Sequence, residues 1–222
     1  AKRVHTETGI DLVSGSLVQA GLARAQAQLG TLDHLSVLVV GAGGMGALAA
    51  TTVSRSGART VVVANRNHDR ARGVAERVGG TARPLSRLAE ALVDADVVIA
   101  STGAPGRVVV ADDVRAALSV RGGRRQVYVD LALPHDVDLA VADLAGATRV
   151  GLGELGEDLA DAGSAPQVGE AADLVTAEVA AYLLARAAEA VAPTVTALRT
   201  HAGELVDDEL RRLERRVPDL TE

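Results

Sequence analysis

Four glycines within six residues, Gly41-Ala42-Gly43-Gly44-Met45-Gly46, separate an apolar run at 36–40 from a helix-compatible stretch at 45–56. Few backbones tolerate that pattern. Read as strand, turn and helix, each glycine has a reason. Gly41 permits the sharp exit from the strand, Gly43 lets a ligand approach bare backbone, and Gly46 lets the helix sit close to the strand. A pyrophosphate placed there meets the free N–H groups and positive end of the helix. A lone Gly-x-Gly-x-x-Gly is weak evidence; the strand–turn–helix context raises it.

The next informative position is the end of the following strand, predicted over 60–64. Dinucleotide sites that take NAD carry Asp or Glu there, about 20 residues beyond the glycines, to bind the ribose 2′-OH. This chain has Asn65-Arg66-Asn67 instead. An acid repels a 2′-phosphate, whereas a guanidinium pairs with it and Asn donates to it. The expected cofactor is therefore NADPH, with Gly41, Ala42, Gly43, Gly44, Met45, Gly46, Asn65 and Arg66 as its candidate contacts.

The rest of the pattern predicts an α/β fold, a Rossmann-type doubly wound parallel sheet. Helices are expected over 14–29, 69–78, 86–93 and 112–118, and further strands over 97–100, 127–131 and 147–152. Alternating strands and helices with short connections favour a parallel sheet covered on both faces. The turn Ser101-Thr102-Gly103-Ala104-Pro105 follows one strand, and Asp130-Leu131-Ala132-Leu133-Pro134 follows the next. In such sheets ligands lie across the carboxyl ends of the strands. Thr102 and Gly103 are thus expected to line the nicotinamide half.

After Gly151 the pattern changes, and from Val168 to the end no strand is expected. Gly163, Ser164, Ala165 and Pro166 suggest a boundary. Leu174, Ala177, Ala181, Leu184, Ala188 and Val191 recur at helical spacing up to Pro193. Leu198, Ala202, Leu205, Leu210, Leu213 and Val217 continue the stripe. Amphipathic helices without a sheet to cover call for a partner helix, and a homodimer is the expected solution. The predicted organisation is an interdomain segment and linker helix at 1–34, an NADP-binding domain at 35–163 and an all-α dimerisation domain at 164–222.

Composition narrows the function classes. The formal net charge is −6 and there is no cysteine. A broad basic footprint for nucleic acid is missing, and thiol catalysis and thiolate metal sites are impossible within this chain. No histidines stand at ligand spacing, so no metal site is proposed. No membrane-length apolar run or signal peptide is present, and a soluble cytoplasmic protein is expected. The start, Ala1-Lys2-Arg3-Val4 without an initiator Met, reads as part of something longer.

Taken together, Val37-Leu38-Val39-Val40 with the glycine turn, Ala64-Asn65-Arg66, residues 101–105 and residues 130–134 resemble glutamyl-tRNA reductase. Arg3-Val4-His5-Thr6-Glu7-Thr8-Gly9-Ile10 looks like the segment before that enzyme's long linker helix. Ala192-Pro193-Thr194-Val195-Thr196-Ala197-Leu198-Arg199 looks like the start of its dimerisation region. The resemblance implies an NADPH-dependent oxidoreductase that reduces glutamyl-tRNA to glutamate-1-semialdehyde for tetrapyrrole (porphyrin, heme) synthesis. A Cys nucleophile in an N-terminal domain forms a thioester that receives the hydride. That domain and its Ser-Thr-Cys-Asn-Arg segment are absent, so this chain carries no catalytic residue of the family and is expected to be inactive alone. His5 and His135 stand where the family usually shows Arg. Implied partners are a second copy, glutamyl-tRNA through the missing domain, and glutamate-1-semialdehyde aminomutase. Two other readings stay open: a shikimate dehydrogenase-type NADP oxidoreductase, whose catalytic Lys–Asp pair is not found, and a noncatalytic NADP-binding dimeric scaffold or sensor.

Overall fold

The computed structural model describes residues 10–161 and 196–213 and the isolated positions 180, 186, 194, 215 and 216. The chain divides into two units, Ala1–Gly169 and Glu170–Glu222.

The first unit runs α1 (Ile10–Leu29), β1 (Ser36–Val40), α2 (Gly44–Arg55), β2 (Thr60–Asn65), α3 (His68–Arg77), β3 (Thr81–Pro84), α4 (Leu88–Asp94), β4 (Val97–Ala100), α5 (Ala111–Val120), β5 (Gln126–Asp130), β6 (Ala147–Gly151) and α6 (Leu152–Asp161). Six strands form one sheet in the order β3-β2-β1-β4-β5-β6. Every neighbouring pair is parallel. The expected doubly wound sheet is therefore present.

Every residue of β1, β4 and β5 is buried, which is why these strands read as continuous apolar runs rather than alternating ones. Alternation survives in where each side chain goes. Val37, Val39, Ile99, Val127 and Val129 join one core with Val18, Leu22 and Ala25 of α1, Val53 of α2 and Leu155 of α6. Leu38, Val40, Val98 and Tyr128 join the other with Leu88 and Leu92 of α4 and Val114 of α5. Each such Val or Leu contributes about 1.5–3 kcal/mol on burial.

Three elements differ from the sequence expectation. β3, with the sequence Thr-Ala-Arg-Pro, was not expected; it has no apolar run and owes its existence to pairing with β2 at the sheet edge. α6 follows β6 directly, where only loss of strand pattern was expected. The helix expected as a linker packs into the first unit: α1 lies against β5 so closely that a Cβ on Gly21 would stand 2.6 Å from Val129 Cγ1.

In the second unit, residues 196–213 are helical. Leu198, Leu205, Val206, Leu210 and Leu213 are exposed along it. The expected stripe from Leu174 to Val191, Pro193 and Val217 lies outside the described residues, as do residues 1–9 with His5. No helix among the described residues is long and apolar enough to cross a membrane.

Candidate functional site

The sheet reverses direction of winding between β1 and β4, and open parallel sheets bind ligands in the crevice at such a switch point. The main chain defines it: Gly41 N donates to Ala64 O at 2.8 Å and Ser101 N donates to Val40 O at 2.9 Å. The glycine turn thus lies between the carboxyl ends of β2 and β4.

The four glycines divide into two kinds. Gly41 has φ +112°, and a Cβ there would stand 2.7 Å from Ser101 O; a Cβ on Gly46 would stand 2.2 Å from Gly41 O. These two close the strand–helix junction. Gly43 and Gly44 are exposed, and a Cβ on either meets nothing within 4 Å. Their bareness serves nothing inside the protein. Gly43 is the N-cap of α2, no side chain caps the helix, and its first turn carries no acid. Ala47 N closes on Gly43 O at 2.9 Å; the helical N–H groups ahead of it lack intrahelical partners. The arrangement fits a pyrophosphate, with donors, a positive helix end and open space at one place. Ala42 and Met45 are half-buried against the core, so what they offer a ligand is backbone.

At the end of β2, Asn65 Nδ2 donates to Asn67 O at 3.0 Å, and Asn67 Oδ1 accepts from Arg70 N at 3.0 Å, capping α3. The two asparagines shape the loop. Arg66 between them is exposed. It forms no ion pair or hydrogen bond with the described residues, and it stands where NAD sites carry an acid.

Beyond β4 and β5 the structure joins Thr102 and Asp130 to two residues that sequence reasoning did not single out, Asp136 and Arg149. Thr102 N and Oγ1 both donate to the Asp136 carboxylate, the hydroxyl at 2.5 Å to Oδ1. Ala104 N donates to Thr102 Oγ1 at 3.1 Å. Thr102 is thus bound inward, while Gly103 is exposed with φ +63°. Asp136 and Asp130 are both fully buried. Burial pushes the Asp136 carboxyl above its ordinary value; the Thr102 donors pull it back and nearby Asp130 raises it further. Asp130 is paired with Arg149, whose Nη2 donates at 2.8 Å from a side chain 8% exposed. His135 Nδ1 lies 3.3 Å from Asp130 Oδ2 without forming a hydrogen bond. The signal available in sequence was an Asp ending a buried apolar strand, with a second Asp six residues on. Arg149, inside a strand, gave none.

A cavity of about 450 Å³ opens at the opposite end of the sheet, among the first residues of β1 and β2. Its arginines are engaged locally: Arg59 with Ser36 Oγ, Arg83 with Glu90 and Asp94, Arg124 with Asp96. It lies on the wrong edge for the dinucleotide.

With this geometry in hand, residues 23–158 match the family model of shikimate / quinate 5-dehydrogenase, and residues 170–222 match that of the glutamyl-tRNA reductase dimerisation domain. Over 219 residues the chain is 47% identical to glutamyl-tRNA reductase 1 of Nocardioides sp., covering 99% of this chain and 50% of that protein. The chain belongs to the glutamyl-tRNA reductase family. Glutamyl-tRNA reductase of Kineococcus radiotolerans is 45% identical over 97% of this chain and 49% of its own length. The solved glutamyl-tRNA reductase of Methanopyrus kandleri aligns with TM-score 0.61 and 31% identity, over 91% of this chain and 53% of that one. The chain thus spans about half the length of the curated glutamyl-tRNA reductases it matches. The match to the shikimate / quinate 5-dehydrogenase model lies within the first unit.

Proposed function

We propose that this chain is the cofactor-binding and dimerising part of an NADPH-dependent glutamyl-tRNA reductase. One observation carries the cofactor assignment: bare Gly43 and Gly44 face open space at an uncapped helix end, with exposed Arg66 at the end of the neighbouring strand. In this reading Gly43, Gly44 and the first N–H groups of α2 hold the pyrophosphate, and Arg66 pairs with the 2′-phosphate. Asn65 supports Arg66 by shaping the loop, and the tip at Thr102 and Gly103 flanks the nicotinamide half. NADPH bound there supplies a hydride. The reaction is reduction of the glutamyl ester of glutamyl-tRNA to glutamate-1-semialdehyde, in the cytoplasm, with the nucleophile outside this chain.

The domain organisation belongs to the same reading: an interdomain segment and linker helix at 1–34, an NADP-binding domain at 35–163 and a dimerisation domain at 164–222. The exposed leucines of residues 196–213, within the match to the dimerisation domain, support a homodimer. Glutamyl-tRNA and the aminomutase that consumes the product are the further partners.

Calorimetric titration with NADPH and NADH, alongside Arg66→Ala, tests the cofactor assignment. NADPH should bind more tightly, and the variant should lose that preference by about tenfold or more, as expected for a charge-assisted contact. Equal affinities for both nucleotides in the unaltered chain would refute the role of Arg66.

A further inference from the structure

We propose that Asp136 is a positioning residue that sets the nicotinamide half of the site through Thr102, an inference that rests on the NADPH reading above. The loop at 103–107 is largely exposed. Gly103, Pro105, Gly106 and Arg107 are exposed, and a Cβ on Gly103 or Gly106 meets nothing within 4 Å. Thr102 is its inward hook, and both of its donors end on one carboxylate. The Thr102 hydroxyl in turn holds Ala104 N, so the tip 102–104 follows wherever Asp136 stands.

Asp136 is itself held on both sides. Its N–H donates to Asp130 Oδ1 at 3.2 Å, and Val137 N donates to Asp130 Oδ2 at 3.3 Å. Its carbonyl accepts from Val108 N at 2.8 Å and Val109 N at 3.0 Å. Asp130 in turn ends β5 and is clamped by Arg149 of β6. A chain of buried polar contacts therefore runs from β6 through β5 to the loop after β4. Burying a carboxylate is costly unless its acceptors are used. Here the two oxygens meet the two donors of a single residue, which fixes its orientation as well as its place.

The adenosine half of the dinucleotide lies on the other side of the switch point, by the glycine turn and Arg66. Loosening Asp136 should therefore separate the two halves. The test is calorimetry on the 222-residue chain with NADPH and with 2′,5′-ADP, which lacks the nicotinamide half. Asp136→Ala should weaken NADPH about tenfold, the size of one hydrogen bond, and leave 2′,5′-ADP unchanged. Asp136→Asn should stay within about twofold of the unaltered chain. Its amide can accept from Thr102 N and donate to Thr102 Oγ1.

Equal loss of both ligands in Asp136→Ala, or unchanged NADPH affinity in the folded variant, overturns the inference. Should Asp136→Ala not fold, Thr102→Val removes the hydroxyl alone. It should weaken NADPH about threefold with 2′,5′-ADP unmoved; wild-type NADPH affinity there also overturns it. If the unaltered chain binds neither ligand, the cofactor reading fails first and this inference falls with it.

Discussion

Alanine at Gly43 and alanine at Gly46 should fail for different reasons, although the two sites are three residues apart in one motif. At Gly46 a Cβ would stand 2.2 Å from the carbonyl oxygen of Gly41, where ordinary contact begins at 3.4 Å. The obstacle is backbone and cannot rotate away, so α2 must withdraw by about 1 Å. Overpacking of this kind costs about 1–3 kcal/mol, and a shift this large against backbone belongs at the upper end. The better helix propensity of alanine returns about 1 kcal/mol. The net loss is about 2 kcal/mol, or roughly 4–8 °C in Tm for a chain of this size. At Gly43 the backbone has φ −81° and ψ −168°, which alanine adopts, and a Cβ meets nothing. Reduced unfolded-state entropy stabilises by about 0.4–1 kcal/mol. A poorer N-cap costs up to about 1 kcal/mol, so Tm should hardly move. The Gly43 methyl instead occupies the space where backbone meets pyrophosphate, and NADPH affinity should fall by about tenfold or more. Thermal melts with calorimetry decide the matter. If Gly43→Ala melts as low as Gly46→Ala, or binds NADPH like the unaltered chain, this division of the glycines is wrong.

Arg121 is buried with its side chain 0% exposed and donates to Asp96, Val93 O and Arg125 O. Arg121→Met should cost about 3 kcal/mol in denaturant unfolding, since it leaves Asp96 buried with only the more exposed Arg124 and Ser36 N; a loss under about 1 kcal/mol contradicts this. Burial holds the Asp136 carboxyl above its ordinary 3.8 in the folded state. The stability this contributes is fully present below that value and is lost as pH rises through the raised folded value. The Tm of the unaltered chain minus that of Asp136→Asn should therefore decline as pH rises above 3.8; a constant or rising difference speaks against it. On the helix at 196–213, Leu210→Asp should convert a dimer to a monomer in light scattering without changing the NADPH affinity of the first unit. A variant that remains dimeric removes the exposed leucines from the interface.

The sequence alone determined the features whose cause is local. The glycine turn was legible because the steric demands of a strand–turn–helix junction act over six residues. Val-rich β1, β4 and β5 were legible because burial on both faces leaves a continuous apolar run. Arg66 was legible because its place is counted from the glycines along one βαβ unit. Tertiary structure decided whatever depends on chain segments meeting. β3 carries Pro84 and no apolar pattern, and only the exposed edge of β2 makes it a strand. α1 reads as an Ala-rich linker, and the packing of Val18, Leu22 and Ala25 into the core, with the close approach of Gly21 to Val129, seats it on the sheet. Thr102 and Asp136 stand 34 residues apart and meet because β4 and β5 are neighbours in register. Spacing along a chain encodes a turn, but it does not encode which buried acid a later strand will bring to that turn.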